Sequence, residues 1–289
     1  MKLWILGNGF DLAHDLPTSY EDYHSYLLKQ NEKWLVGMLE YYFGNDVHSS
    51  KNYLWSQLEK ALGIYDVKAI YDFLKEGHSM DLDHVSRFVG EVEAEVQYHF
   101  VGICDKFNET FAGWCEQIIL EGIKPLEKFC FSSSDIFLTF NYTDTLERVY
   151  GIDENQVLHI HGRASKGEEL IVGHNNPARM PHGIKDDFLD NTANYRAIVE
   201  TINRLEKKSK KIITENCSFF NGLGSVDEVS VYGHSIEEVD IGYFEEIRRN
   251  VDVNAHWCFY CYDKSRKKHY DDMAMWLGIG PGMYDVVIG

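Results

Sequence analysis

Asn141 and His161 are the residues whose types and positions point most directly to chemistry. Asn141 follows the apolar run 136–140 and has both a donor and an acceptor, so it could hold a ribose hydroxyl or a water beneath a reacting sugar carbon. Histidine exchanges protons near neutral pH, so His161, after the run 157–160, could act as a general base on a sugar hydroxyl. The plainer alternatives are an asparagine that caps the next helix and a buried core histidine.

Glycines follow the first apolar run of the chain, where residues 3–6 lead into Gly7-Asn8-Gly9. Glycine at this point would let the backbone approach a phosphate, and the next helix would offer unpaired N–H groups to it. A tight strand-to-helix turn explains the same glycines without a ligand, since the third glycine of the dinucleotide fingerprint is missing. Asp11 would either bond a ribose hydroxyl or, more simply, cap the helix.

A second glycine turn, Gly233-His234-Ser235, follows the apolar run 229–232. Ser235 and the N–H groups after Gly233 could contact phosphate or ribose. The alternative is that Ser235 is the N-cap of the next helix, with Glu238 completing a capping box. Both interpretations place a strand end, a glycine and a helix in that order.

These residues require a framework that brings strand ends together, and the alternation of apolar runs with helical segments predicts a parallel α/β sheet. Residues 20–129 instead have helical spacing and acidic exposed faces. We therefore predict a Rossmann-like core from residues 1–19 and 130–289, with a large helical insertion at 20–129 after the first strand and helix. The predicted strands are 3–6, 136–140, 157–160, 170–172, 229–232 and 255–260. The predicted helices are 144–150, 194–214 and 236–250. The basic run 207–211 is predicted to be an exposed part of a helix.

The charge and cysteine content exclude several classes of protein. A formal net charge of −18 argues against broad nucleic-acid binding, because phosphate contacts draw on clustered Lys and Arg. The six cysteines lack the density and spacing of a disulfide-stapled secreted domain. No run has the length of a transmembrane helix or the form of a signal peptide. We predict a cytoplasmic protein that binds neither a membrane nor nucleic acid.

In chain order, these motifs resemble the sirtuin pattern of a glycine-rich first turn, an asparagine after a strand, a His-Gly turn and a late Gly-x-Ser turn. The stretch 141–151 is similar to the part of sirtuins in which the NAD-site asparagine precedes a helix. A closer resemblance is to the AbiH family of bacterial abortive-infection proteins. It is carried by residues 7–11, 17–20, 55–59, 140–142, 159–162 and 233–235.

The chain departs from the sirtuin pattern at two places. Only Cys258-Phe259-Tyr260-Cys261 has the Cys-x-x-Cys spacing of the sirtuin zinc module, and no second pair accompanies it. We therefore predict that these cysteines pack within a strand and bind no zinc, which disfavours lysine deacetylation. The Asp-Phe-Arg of the sirtuin cofactor loop is replaced by Thr18-Ser19-Tyr20.

The resemblance implies hydrolysis of NAD to nicotinamide and ADP-ribose in infected cells, with Asn141 and His161 as the catalytic residues. NAD would be a substrate or ligand, and no prosthetic group is expected. A phage-derived trigger and a homo-oligomer are left open as partners. The predicted NAD-contacting residues are Gly7, Asn8, Gly9, Phe10, Asp11, Thr18, Thr139, Tyr142, Asp144, Gly162, Gly233, His234 and Ser235.

Two rival functions are consistent with the same residues. Strand alternation places His159 and His161 on one face, and His174 or His234 could add a third ligand for a metallohydrolase. Acidic ligands at matching strand ends are not evident, so no metal site is predicted. The second rival is a nucleotide sensor that signals through the helical insertion to a partner without turnover.

Overall fold

The computed structural model describes residues 1–43, 51–76, 85–183 and 192–289. Within them the chain forms two compact units. The sheet unit consists of Met1–Ser19, Cys115–Ile171 and Lys208–Gly289, and the helical unit consists of Tyr20–Trp114 and Val172–Lys207. Residues 172–207, which the sequence analysis assigned to the core, group with the helices, and residues 115–129 group with the sheet.

The sheet unit contains six parallel strands in the order β3-β2-β1-β4-β5-β6. This is the strand order of a Rossmann fold, so the predicted α/β class is confirmed. The order in which the chain adds strands reverses between β1 and β4. Strands β2 and β3 are added on one side of β1, and β4 to β6 are added on the other side. The strands are Lys2–Leu6 (β1), Ile136–Thr139 (β2), Val157–His159 (β3), Glu228–Tyr232 (β4), His256–Cys261 (β5) and Tyr284–Ile288 (β6).

Both faces of the sheet are covered, which explains why its inner strands are continuous apolar runs. Leu3 and Ile5 of β1 belong to a large core cluster that also contains Trp257. Trp4 and Leu6 alternate to the opposite face and pack in a smaller, aromatic cluster. The indole of Trp4 donates to Asp135 Oδ2 at 3.0 Å, which pairs the one polar atom of that side chain.

Short helical segments connect the strands, and several follow a strand end directly. Residues Thr145–Val149 form a π-helical turn after β2. The α-helices of the sheet unit are Asn8–Leu12 (α1), Ser209–Glu215 (α10), Cys217–Asn221 (α11), Ile241–Asn250 (α12) and Lys267–Trp276 (α13). Among the described residues, the α-helices of the helical unit are α2 (Tyr20–Lys29), α3 (Lys33–Phe43), α4 (Lys51–Ser56), α5 (Leu58–Leu62), α6 (Val67–Glu76), α7 (Val85–Glu95), α8 (Gly102–Glu116) and α9 (Thr192–Arg204).

Five predicted strands are confirmed, but residues 170–172 are not a strand. The backbone there donates one hydrogen bond, from Ile171 to the His161 carbonyl at 2.9 Å, and Gly173 then turns the chain with a φ of 157°. The edge strand β6 was not predicted, because it pairs on one side only and most of its side chains are partly or fully exposed.

The predicted helices also differ at their ends. The helix predicted for 194–214 is divided into α9 and α10, since residues 205–208 leave the helical path and Glu206 forms a β-bridge with His174. The helix predicted from residue 236 begins at Ile241, because Ile236 has a φ of 52°. Lys207 is buried, so the basic run 207–211 is not wholly exposed.

Candidate active site at the carboxyl ends of the strands

The four predicted motifs follow the carboxyl ends of four neighbouring strands. His161 comes after β3, Asn141 after β2, the Gly7 turn after β1 and Gly233 after β4, and these strands are adjacent in the order β3-β2-β1-β4. The last two motifs flank the point at which the strand order reverses. Ligands of open α/β sheets bind at such reversal points.

The glycine turns after β1 and β4 pack backbone against backbone. A Cβ atom on Gly9 would lie 2.5 Å from Gly233 Cα, and one on Gly7 would lie 2.6 Å from the Gly233 carbonyl oxygen. The Gly7 N–H donates to the Tyr232 carbonyl at 3.0 Å and the Gly9 N–H to the Gly233 carbonyl at 2.9 Å. These contacts account for the glycines without a ligand, and the N–H groups of Gly7 and Gly9 already have protein acceptors.

Asp11 is buried within α1 and is not the N-cap of that helix, so the simpler prediction for it was wrong. Its two carboxylate oxygens accept hydrogen bonds from Thr143 Oγ1 at 2.6 Å and Thr145 Oγ1 at 2.7 Å. Burial raises the pKa of the Asp11 carboxyl to about 6, although the two threonine hydroxyls act to lower it. Asp11 therefore joins the end of β1 to the turn that follows β2.

Asn141 is 5% exposed and lies beside Asp11. Its backbone N–H donates to Thr139 Oγ1 at 3.1 Å, so the Thr139 hydroxyl, which was predicted to contact NAD, accepts a hydrogen bond from the backbone at the end of β2. Its side-chain amide lies close enough to the Asp11 carboxyl to lower the pKa of that group, but the buried Nδ2 makes no well-formed hydrogen bond among the described residues. The next helical turn has Asp144 as its N-cap, so Asn141 does not cap it. A buried amide donor with no acceptor is costly unless something else supplies an oxygen.

His159 and His161 have different partners, because β3 ends at His159 and strand alternation does not continue beyond it. His159 places Nδ1 3.2 Å from the Asn141 carbonyl oxygen and Nε2 2.8 Å from Glu147 Oε1. It therefore ties the ends of β2 and β3 together. His161 is 2% exposed and packs against Phe140 and Tyr243, with ring centroids at 5.1 and 5.6 Å.

Asp240 is a site residue that the sequence analysis missed. Its Oδ1 lies 3.6 Å from His161 Nε2, and its Oδ2 lies 3.4 Å from His234 Nε2. The residue is 7% exposed and immediately precedes α12, whereas the sequence analysis placed it inside the helix predicted for 236–250. Ser235 does not begin that helix, so its predicted capping box is wrong, and its carbonyl lies 2.7 Å from His269 Nε2.

A cleft of about 230 Å³ opens in the sheet unit beside the turns that follow β2 and β3. Two predicted NAD contacts, Tyr142 and Asp144, line it. The Tyr142 hydroxyl donates to the Ile171 carbonyl at 2.9 Å. The Asp144 carboxylate accepts from Ser165 Oγ at 2.8 Å and from the Arg163 guanidinium. Asn141 and His161 do not line this cleft. Its volume is below the roughly 300 Å³ at which small-molecule pockets usually begin, so it suits only part of a dinucleotide.

The remaining predicted contacts mostly have structural partners. Phe10 is buried in the aromatic cluster with Phe129, and Gly162 has a φ of 85° and a Cβ position 2.4 Å from the Glu169 carbonyl. Asn8 Nδ2 donates to the Thr18 carbonyl at 2.8 Å. Thr18 Oγ1 is buried and has no hydrogen-bond partner within the residues that the structure describes.

The histidines considered for a metal site do not all belong to the sheet unit. In the described ranges, no three His, Cys, Asp or Glu side chains are grouped so as to hold a metal ion. His174 belongs to the helical unit, where its Nε2 lies 3.1 Å from the Ile202 carbonyl and its Nδ1 accepts the Asn176 N–H at 3.2 Å. Cys258 and Cys261 lie within β5, as predicted.

Comparison with known proteins places the chain in a family. None of the helices that the structure describes combines the length and apolar character needed to span a membrane. No curated protein and no solved structure gave a significant match. The family model described as "Bacteriophage abortive infection AbiH" matches residues 3–261, which is most of the chain. The protein belongs to the AbiH family of bacteriophage abortive infection proteins.

Proposed function

We propose that this abortive infection protein acts by hydrolysing NAD at the bond between nicotinamide and ribose. The observation that carries the proposal is the buried Nδ2 of Asn141, which lies beside the Asp11 carboxyl but makes no well-formed hydrogen bond among the described residues. It lies at the carboxyl edge of a Rossmann-ordered sheet, one strand away from the point where the strand order reverses. An amide donor in this position matches a hydroxyl of a bound ribose.

His161 supplies the second chemical group that the reaction needs. It follows the strand adjacent to that of Asn141, and its Nε2 faces the Asp240 carboxylate at 3.6 Å. A histidine next to a carboxylate can take up a proton and hold the resulting positive charge. Both side chains are buried, and electrostatic effects are stronger there than in water.

In the proposed mechanism, Asn141 holds a ribose hydroxyl or the attacking water while the nicotinamide–ribose bond breaks. The sugar carbon develops positive charge in the transition state, as in glycoside hydrolysis. Nicotinamide leaves with the bonding electron pair and becomes neutral. Water adds to the sugar carbon, and His161 accepts the proton that the water or a ribose hydroxyl releases. The products are nicotinamide, ADP-ribose and one proton.

The test is nicotinamide release from NAD by purified protein, followed by chromatography with and without extract of phage-infected cells. We expect release by the wild type, and a loss of about 10²-fold or more in Asn141→Ala and His161→Ala, because each removes a group used in the transition state. Matched controls are Asn155→Ala and His256→Ala, at partly or fully exposed positions outside the site.

Two outcomes would contradict the proposal. Release that persists unchanged in both Asn141→Ala and His161→Ala would place the chemistry elsewhere. Tight NAD binding by calorimetry, with no release under either condition, would favour a nucleotide sensor that signals to a partner.

A further inference from the structure

Asp240 lies between two buried histidines from different strand ends. Its two oxygens face His161 Nε2, at 3.6 Å, and His234 Nε2, at 3.4 Å. The exposed fractions of these side chains are 2% for His161, 5% for His234 and 10% for Asp240. Removing a carboxylate from water is costly, and cationic or N–H partners on both oxygens offset that cost.

The hydrogen bonds of His234 determine where its proton lies. Its Nδ1 is 2.9 Å from the backbone N–H of Ile236, and an N–H can only donate. Neutral His234 must therefore carry its proton on Nε2, the atom that faces Asp240. The ring is packed against Phe140 and Phe244 at centroid distances of 4.2 and 5.1 Å, so His234 holds one side of the carboxylate in place.

The backbone after His234 is strained in a way that maintains this arrangement. Ile236 is a β-branched residue with a φ of 52°, a conformation that such residues rarely adopt. Strain of this kind persists only where the surrounding structure determines it, and it is concentrated at functional sites. Here it directs the Ile236 N–H to His234 and lets the chain reach Asp240 before α12 begins.

We propose that Asp240 is a positioning residue for His161. This inference rests on the proposed function of His161 and goes beyond it by assigning the group that controls its proton. With substrate bound, Asp240 would accept the Nε2–H of His161, so the proton that His161 removes from a ribose hydroxyl or water would go to Nδ1. The carboxylate then stabilises the doubly protonated ring. Catalytic hydrogen bonds are often long without substrate, and the 3.6 Å separation is expected to shorten on binding.

Several described residues surround His161 in addition to Asp240. Among the residues that the structure describes in contact with its ring, Phe140 is apolar, and Tyr243 brings a buried phenol. His234 acts on His161 through the shared carboxylate. Asp240 places a negative charge 3.6 Å from His161 Nε2 and is therefore expected to favour protonation of His161.

The direct test is a pH titration of the histidine ring signals by NMR on the intact protein, with His161 assigned by its absence in His161→Gln. We expect Asp240→Asn to move the midpoint of the His161 titration to lower pH, because the opposite charge is lost. The matched control is Asp285→Asn, which removes an exposed aspartate 3.4 Å from His256 and should leave His161 unchanged. An unchanged His161 midpoint in Asp240→Asn would overturn the proposal.

Should Asp240→Asn fail to fold, the wild type still decides the question. The ¹⁵N shifts of neutral His161 must report a proton on Nε2, and a neutral ring protonated on Nδ1 refutes the assignment. In the NAD assay, Asp240→Asn is expected to lower kcat/KM about 10²-fold and shift the acidic limb of its pH profile, while Asp240→Glu restores part of both. Absence of nicotinamide release by the wild type would count against NAD hydrolysis alone, since the NMR results do not depend on turnover.

Discussion

Asp11 shows how a single buried carboxyl affects the whole protein. It is 1% exposed, and the two threonine hydroxyls from the turn after β2 bind its oxygens. Burial raises its pKa from 3.8 to about 6 because the desolvated negative charge is disfavoured. The side chain thus holds a proton in the folded protein under conditions in which an unfolded chain has lost it.

This difference predicts how the free energy of unfolding depends on pH. Between pH 3.8 and about 6 the folded state binds more protons at Asp11 than the unfolded state does, so stability falls as pH rises through this window. The full contribution is about 3 kcal/mol. Replacing Asp11 by Asn removes the titrating group, so we expect a smaller decline in stability from pH 4 to pH 7, measured by urea unfolding.

Asp15→Asn is the matched control, since it changes the same residue type at an exposed position shortly after α1. It should leave the pH dependence of the wild type intact. A decline in stability that is the same in Asp11→Asn as in the wild type would show that Asp11 is not the group responsible.

At the scale of elements, the close approach of β1 and β4 depends on glycine. Gly233 has a φ of 68°, and a Cβ atom there would lie 2.5 Å from the Phe10 nitrogen and 2.6 Å from Gly9 Cα. Neither the conformation nor the space suits another residue. The turns that position Asp11 and His234 are therefore maintained by a contact between two backbones.

Gly233→Ala is expected to lower the free energy of unfolding by at least about 2 kcal/mol, through the unfavourable φ and the overlap with the Gly9 turn. Gly224→Ala is the control, because Gly224 has no atom within 4 Å of its Cβ position and lacks a positive φ. It should be neutral or slightly stabilising. Equal stabilities of the two variants in urea would contradict this account of the β1–β4 contact.

The strand ends could be predicted from the sequence because parallel strands buried on both faces are apolar runs, and Gly7, Asn141 and Gly233 mark the points where three of these runs stop. Asp240 could not be predicted as a partner of His161, since residues 79 positions apart meet only through the packing of α12 against the sheet. The edge strand β6 was missed for a different reason, because Asp285 interrupts its apolar residues and leaves a run of only three, residues 286–288. Local patterns therefore indicated where polar groups lie, whereas tertiary contacts decide which of them interact.

At the scale of the whole molecule, the helical unit is built from two separate segments of the chain. Its second segment, Val172–Lys207, is joined to the first by an ion pair between Lys207 Nζ and Glu59 Oε1 at 2.6 Å. The Tyr65 hydroxyl also donates to the Asn176 carbonyl at 2.7 Å. The Lys207 side chain is 1% exposed, although it begins a basic run that in sequence suggests a solvated surface. These contacts explain why residues 172–207 group with the helices.

Breaking the Lys207–Glu59 pair should therefore destabilise the helical unit. Lys207→Met removes the buried cation but keeps most of the side-chain volume, so the Glu59 carboxylate loses this partner in a desolvated place. We expect a loss of about 3–5 kcal/mol in the free energy of unfolding. Hydrogen exchange should show weaker protection in both segments of the helical unit, at residues near 59 and near 174.

Lys210→Met, a change of the same kind at an exposed lysine three positions away, should have little effect on stability. Combining Lys207→Met with Glu59→Gln removes both charges, so the double variant should be more stable than the sum of the two single losses implies. Equal unfolding curves for Lys207→Met and Lys210→Met would show that the Lys207–Glu59 pair does not stabilise the helical unit. A strictly additive double variant would show that the charges of Lys207 and Glu59 do not interact.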